Sequence, residues 1–136
     1  MMEYELTIFG QPVGKARPRF THTGHTYTPQ ATKDYEELVR YTFISGYPKA
    51  KPIEGAVRAK ITAYFKIPDS YSLKRRNELI GKYYTKKSDV DNIAKIILDA
   101  LNGLAYNDDK QVVKLEVIKK YASEGYTEIE MEEIYE

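Results

Sequence analysis

The 136-residue sequence contains no cysteine, no tryptophan and only two histidines. The absence of cysteine excludes a disulfide scaffold, a thiolate metal site and a cysteine nucleophile. Two histidines are too few for a multi-histidine zinc site. No apolar run approaches the ~20 residues of a membrane span, and the first residues do not resemble a signal peptide. We therefore expect a cytoplasmic protein of a reducing compartment, without a membrane partner.

The net charge of +1 hides an uneven distribution of charged residues. Residues 1–100 carry 17 Lys and Arg against 11 Asp and Glu, whereas residues 101–136 carry 4 against 9. A basic body with an acidic C-terminal segment suggests a polyanionic partner. The alternative interpretation is that these charges only keep the surface hydrated.

Hydrophobic periodicity predicts the order of the secondary structure elements. Alternating residues predict strands over 3–9, 56–67, 111–121 and 126–134. Three- and four-residue spacing predicts helices over 31–46, 70–81 and 92–102. Residues 15–29 are expected to form an ordered loop or an irregular hairpin, and the short link after residue 121 predicts a hairpin of the last two strands. The order predicts an α+β fold, a mixed β-sheet with helices packed on one face, as a single domain over residues 1–136.

Two aspartates precede the clearest predicted helix. Asp89 and Asp91 are separated by Val90. If residues 88–91 are extended, both carboxylates face the same way with their Cα atoms about 6–7 Å apart. That separation suits the binding of one hard cation.

A second acidic pair follows this helix. Lys95 and Asp99 continue the face of Asp91 along the helix, and Asp108 and Asp109 lie in the turn after it. If residues 103–107 fold back, the two acidic pairs meet around Lys95. Several carboxylates with one lysine predict an oxygen-ligand site for Mg²⁺ or Mn²⁺ of the kind that supports phosphoryl transfer.

The same residues also permit a purely structural interpretation. Asp91 can be a helix cap, and Asp91, Lys95 and Asp99 can be a solvated row of ion pairs. Residues 107–110 can then be an ordinary turn. In that interpretation there is no metal site.

Five stretches of the sequence occur together in a distinctive order: Gly10–Phe20 (GQPVGKARPRF), Tyr27–Pro29 (YTP), Lys87–Lys95 (KSDVDNIAK), Leu98–Gly103 (LDALNG) and Asp108–Val112 (DDKQV). In these motifs and their spacing the chain resembles the RusA-type Holliday junction resolvases, small endonucleases common in bacteria and their prophages. The resemblance extends from the first predicted strand to about Lys120. The acidic segment Glu128–Glu136 is expected to lie outside the matched pattern.

The resemblance implies a homodimeric, Mg²⁺-dependent nuclease that cuts four-way DNA junctions by paired nicks in opposed strands, with Mn²⁺ as a possible substitute. It places the essential carboxylates on Asp89, Asp91 and Asp109 and the essential lysine on Lys95. Asp108 matches a neighbouring metal-site position, and Asp99 is expected to orient Lys95. The basic run that flanks the first acidic pair in some relatives is reduced here to Lys86 and Lys87.

Two groups of basic residues are candidate DNA contacts. Lys15, Arg17 and Arg19 alternate along a proline-containing loop and would project to one side if it is extended. The second group leads into the first acidic pair and comprises Lys74, Arg75, Arg76, Lys82, Lys86 and Lys87. Such cations bind phosphates without reading sequence.

Two other functions fit parts of the pattern. A non-catalytic module that binds branched DNA would use the basic residues and leave the carboxylates as caps and turns. A metal-dependent phosphohydrolase of small nucleotides would use the carboxylates, but the sequence lacks a Gly-rich phosphate loop.

Overall fold

The computed structural model describes residues 3–136, and a four-stranded sheet forms its centre. Its strands lie in the order β1 (Glu3–Phe9), β6 (Tyr126–Ile134), β4 (Ala56–Lys66), β5 (Val112–Ala122). A small separate hairpin consists of β2 (Arg19–Phe20) and β3 (Thr26–Tyr27). The helices are α1 (Gln30–Gly46), α2 (Leu73–Leu79) and α3 (Val90–Leu101), and a 3₁₀ turn spans Asp109–Gln111.

The sheet is mixed, because β4 pairs in parallel with β5 and antiparallel with β6, which in turn pairs antiparallel with β1. Alternate residues of each strand face α1 and α3, which also pack against each other. The core between these layers is apolar and includes Ile8, Val39, Ile61, Ile97 and Ile129. The predicted α+β fold with a mixed sheet is confirmed.

The predicted hairpin of the last two strands is wrong. β5 and β6 are joined by a short link, yet β4 lies between them. Residues 123–125 need to span two strand spacings, about 10 Å, which three extended residues can reach. β4 is buried along most of its length, and the central position gives it a neighbour on each side. Alternation in a sequence identifies a strand but does not identify its neighbours.

The start of α3 also differs from the prediction. The helix begins at Val90, with Asp89 at the N-cap position, so Asp91 lies in the first turn. The expected extended conformation over residues 88–91 is therefore wrong, as is a cap at Asp91. The apolar residues Ile93, Ile96 and Ile97 are buried as their spacing predicts. The helix thus presents its polar face away from the core.

The shorter elements follow local sequence signals. α2 begins after Ser72, whose side chain accepts a hydrogen bond from the Arg75 N–H at 3.2 Å. The helix predicted to start at Ser70 therefore starts three residues later, at Leu73. The irregular hairpin predicted within residues 15–29 is present as β2 and β3. Within residues 3–136, no helix has the length and hydrophobicity needed to cross a membrane.

Candidate active site

The loop that follows β1 is packed against the start of α3. The Lys15 N–H donates to the Asn92 carbonyl at 2.8 Å. Gly14 lies so close to the helix that a Cβ there would be 2.8 Å from the Ser88 Cβ. A groove of about 460 Å³ lies between the two segments and is lined by Pro12, Val13, Gly14, Lys15, Ala16, Arg17, Lys87, Ser88, Asp89 and Asn92. One candidate metal ligand, Asp89, therefore borders a groove that also contains candidate DNA contacts.

An ion-pair chain runs along the polar face of α3. Lys95 Nζ lies 3.1 Å from Asp99 Oδ1, and Lys15 Nζ lies 3.3 Å from Asp99 Oδ2. Lys15 also binds Glu36 of α1 at 3.0 Å. Burial opposes protonation of Lys15, but its hydrogen bonds with Glu36 and Asp99 outweigh this and raise its pKa. Asp99 therefore lies within ion-pair distance of Lys95, and its role in orienting Lys95 stays a prediction.

Gln111 fixes the turn that carries the second acidic pair. Its Oε1 accepts hydrogen bonds from the N–H groups of Asn107 and Asp108, both at 2.8 Å. Its Nε2 donates to the carbonyls of Ile53 at 2.7 Å and Gly55 at 2.9 Å. The turn is therefore attached to the segment that leads into β4. Residue-by-residue reasoning missed this role of Gln111, although it belongs to the DDKQV stretch.

The carboxyl groups of Asp108 and Asp109 interact directly. The Lys110 backbone N–H and a hydrogen bond with Asp109 lower the pKa of Asp108. The hydrogen bond with Asp108, burial and the negative charge of Asp108 raise the pKa of Asp109, while Lys95 opposes this rise. Asp99 also acts on Asp109 electrostatically. The fold therefore brings Lys95, Asp99 and this acidic pair into one neighbourhood.

The Asp108–Asp109 pair offers the oxygen donors that a hard divalent cation binds, but the other predicted ligands do not lie close to it. A bound cation offsets the repulsion between two neighbouring carboxylates, and carboxylate oxygens are the ligands that Mg²⁺ prefers. However, among residues 3–136 no group of three or more His, Asp or Glu side chains is placed closely enough to hold a metal ion. Asp89 and Asp91 are exposed at the start of α3 and do not join Asp109 in such a group.

The buried phenol of Tyr106 is hydrogen-bonded to the C-terminal end of α3. Its O–H donates to the carbonyl of Leu98, which lies in the last turn of the helix. Burial, followed by the charges of Asp109, Asp99 and Asp108, raises the pKa of Tyr106 far above its usual range. The phenol therefore stays protonated and remains a hydrogen-bond donor.

Some of the basic residues predicted to contact DNA are exposed, whereas the ammonium group of one of them forms ion pairs within the protein. Arg17 and Arg19 are exposed on the loop and the β2–β3 hairpin, whereas the ammonium group of Lys15 points to Glu36 and Asp99. On α2, Lys74 and Arg75 are exposed. The side chains predicted to project together from the loop therefore do not all do so.

Tyr71 links the two parts of the second basic group. The Arg75 guanidinium lies 3.8 Å from the centre of its ring, and Lys86 Nζ donates to its hydroxyl at 3.3 Å. Arg76 turns away, donating to the Pro68 carbonyl at 3.2 Å. The exposed cations of α2 are thus connected to the Lys86–Lys87 loop that leads to Asp89.

Comparison with known proteins identifies the family. The model of the endodeoxyribonuclease RusA family matches residues 10–132. This chain belongs to that family. A relative, the uncharacterized protein YqaN of Bacillus subtilis (strain 168), is 34% identical over 137 residues that cover 96% of each chain. Membership in the RusA family implies a DNA endonuclease of the Holliday-junction-resolving kind.

The RusA match also corrects the expected extent of the resemblance at both ends, since it begins at residue 10, after β1, and not within the first strand. It continues to residue 132 and so includes most of β6. The acidic segment that begins at Glu128 was expected to lie outside the family pattern. Its first part is instead a strand paired with both β1 and β4, which makes it integral to the RusA domain.

Proposed function

We propose that this protein is a divalent-cation-dependent endodeoxyribonuclease that resolves four-way DNA junctions by paired nicks in opposed strands, as a homodimer in the cytoplasm. The observation that carries the proposal is the position of Lys95. Its ammonium group is bound to Asp99 at 3.1 Å and interacts electrostatically with Asp109. Lys95 is linked to the groove through Asp99, which Lys15 of the groove lining also binds. A cation beside an acidic pair suits the cleavage of a phosphodiester.

Asp109, with Asp108 beside it, would hold the divalent cation from the turn. Asp89 and Asp91, which lie apart from this pair among the described residues, would have to move closer to it when the ion binds. We expect Mg²⁺, and Mn²⁺ as a substitute, because all four residues offer carboxylate oxygens. When bound, such an ion neutralises charge on the phosphate and lowers the pKa of a water molecule. Gln111 holds Asp108 and Asp109 in place through four hydrogen bonds.

Lys95 would stabilise the negative charge that builds up on the phosphate during cleavage. Its side chain is 58% exposed, so the ammonium group can reach a bound strand. Asp99 restricts its position before substrate arrives, and a charge fixed in advance is more effective than one that must reorganise. Asp99 is itself fixed by Lys15, which we assign to positioning rather than to phosphate binding.

Exposed cations on both sides of the groove would bind the DNA backbone. Arg17 lines the groove on one side and Lys87 on the other, and Arg19 is exposed two residues farther along the chain, in β2. Lys74, Arg75 and Lys86 extend this surface along α2. Contacts of this type give affinity that falls with salt and does not depend on sequence.

The test is cleavage of a labelled, immobile four-way junction in Mg²⁺, with a linear duplex of equal length alongside. We expect nicks at symmetric positions in opposed strands and little cutting of the duplex. Binding without cutting in both Mg²⁺ and Mn²⁺ would instead favour the non-catalytic branched-DNA-binding module.

Replacement of one proposed ligand gives a sharper test. Asp91→Asn should abolish cleavage and preserve or strengthen junction binding, because a ligand charge is lost while repulsion of phosphate decreases. Gel shift in EDTA, without Mg²⁺ or Mn²⁺, measures binding, and the junction assay in Mg²⁺ measures cleavage. Asp34→Asn, an exposed aspartate on α1, is the matched control. Full cleavage by Asp91→Asn would contradict the metal assignment.

A further inference from the structure

β5 is an edge strand whose outer side is covered over only part of its length. Near its C-terminal end, Gly81 and Tyr84 donate to the carbonyls of Tyr121 and Lys119, both at 3.0 Å, and Tyr121 donates to the Lys82 carbonyl at 2.9 Å. Within the described residues 3–136, no strand pairs with the outer edge of residues 112–118. This part of β5 therefore offers backbone hydrogen-bonding groups to another chain.

The open part of β5 exposes apolar side chains on one face and one charge of each sign, Lys114 and Glu116, on the other, whereas the opposite edge of the sheet carries charges of one sign. Val113 and Leu115 are 61% and 47% exposed, and Val90, which lines a shallow pocket with Val117 and Ile118, is 48% exposed. On the opposite edge, β1 presents Glu3 and Glu5 to solvent. Charged edge strands resist pairing with other chains, whereas a long apolar edge favours it. A partner is thus expected on β5 and not on β1.

The open segment is complementary to itself. Residues 112–118 read Val-Val-Lys-Leu-Glu-Val-Ile, which is nearly symmetric about Leu115. If two copies pair antiparallel about a two-fold axis at Leu115, Lys114 faces the partner's Glu116 and Val113 faces the partner's Val117. Registers centred one residue to either side would oppose Lys114 to itself or Glu116 to itself. Opposite charges across a strand pair are stabilising and like charges are destabilising, so the sequence selects one register.

The backbone of β5 agrees with this register. The backbone groups of Lys119 and Tyr121 face away from β4, because they form the hydrogen bonds with residues 81–84. Since backbone groups alternate along a strand, those of Leu115 and Val117 also face the open edge. In an antiparallel pair, residues with outward-facing groups lie directly opposite each other and exchange two hydrogen bonds. A two-fold axis at Leu115 satisfies this condition.

We propose that two copies of this chain pair antiparallel through residues 112–118 of β5 and join their sheets into one. The partner is a second copy of this chain, because the segment is complementary in charge and in apolar residues to the same segment running in the opposite direction. The inference rests on the homodimer of the proposed function and names its interface. The two-fold axis is perpendicular to the sheet, so α3 of both copies lies on the same face. Both candidate sites then face one side, where a single junction can reach them.

Charge reversal tests the interface, with sedimentation equilibrium of the full chain as the measurement. The parent should have twice the 15.7 kDa chain mass. Lys114→Glu and Glu116→Lys should each raise the dimer dissociation constant about tenfold, because each places like charges opposite each other twice. The double variant should restore the parent's constant. Lys120→Glu is the matched control, since it changes the charge equally on the covered part of the strand.

Cross-linking provides a second measurement that does not depend on charge. The chain has no cysteine, so Leu115→Cys introduces a single thiol. Directly opposed residues in an antiparallel pair lie at a Cα separation that permits a disulfide. Mild oxidation should therefore yield a covalent dimer, whereas Thr7→Cys on the β1 edge should stay uncross-linked.

The outcomes separate this inference from the proposed function. A monomeric parent at all concentrations would overturn both the dimer and its interface. A dimer whose dissociation constant is unchanged by the charge reversals, and in which Leu115→Cys does not cross-link, would overturn the β5 interface and leave the homodimer intact. The charge-reversal pattern in a preparation that does not cut junctions would support the β5 interface and count against the proposed chemistry.

Discussion

At the scale of single residues, Gln111 shows how one side chain determines the geometry of two others. We expect Gln111→Ala to slow junction cleavage and to raise the Mg²⁺ concentration needed for half-maximal rate, because the turn that carries Asp108 and Asp109 loses four hydrogen bonds. The free energy of unfolding should fall by about 1–3 kcal/mol. Cleavage across a Mg²⁺ titration and urea denaturation are the measurements. Gln30→Ala, on the exposed start of α1, is the control. An unchanged Mg²⁺ dependence with lowered stability would show that Gln111 acts on the fold alone.

At the scale of elements, the end of α3 depends on the hydroxyl of Tyr106. The last carbonyls of a helix lack partners within it, and Tyr106 supplies one to Leu98. Tyr106→Phe keeps the buried ring and removes this donor, so the free energy of unfolding should fall by about 1 kcal/mol. Urea denaturation measures the change, and Tyr41→Phe, on an exposed ring of α1, is expected to leave the free energy unchanged. Equal stability of the two variants would mean that water or another group replaces the phenol.

At the scale of the whole molecule, the charge distribution decides where DNA is expected to bind. The exposed cations Arg17 and Arg19 lie near the groove, while much of the acidic C-terminal segment is built into β6. Removing both arginines should reduce the slope of log affinity against log salt by about 1 to 2, since each phosphate contact contributes about 0.9. Junction binding from 50 to 200 mM salt measures this slope. The control pair is Lys49→Ala with Lys51→Ala, on the link between α1 and β4 at the other end of β1. Equal slopes for both double variants would remove the arginines from the DNA interface.

Local patterns in the sequence were sufficient to locate the main elements and to indicate the family. Alternation located β1, β4, β5 and β6 to within a residue or two, and three- and four-residue spacing located α1 and the buried face of α3. These signals are local, because each depends on which side of a strand or helix faces the core. The motifs around Asp89, Lys95 and Asp109 were specific enough to point to the RusA family, which the family match confirmed.

How these elements pack against each other depends on contacts between residues that are distant in the sequence. The placement of β4 between β5 and β6, and the pairing of Lys15 with Asp99, depend on residues distant in sequence whose partners no periodicity reveals. The start of α3 at Val90 was missed because an aspartate is an equally good cap at several neighbouring positions. The open edge of β5 likewise became visible only once the sheet order was known. The sequence shows which residues are apolar or charged and which of them share a side of an element, whereas the fold determines which of them are in contact.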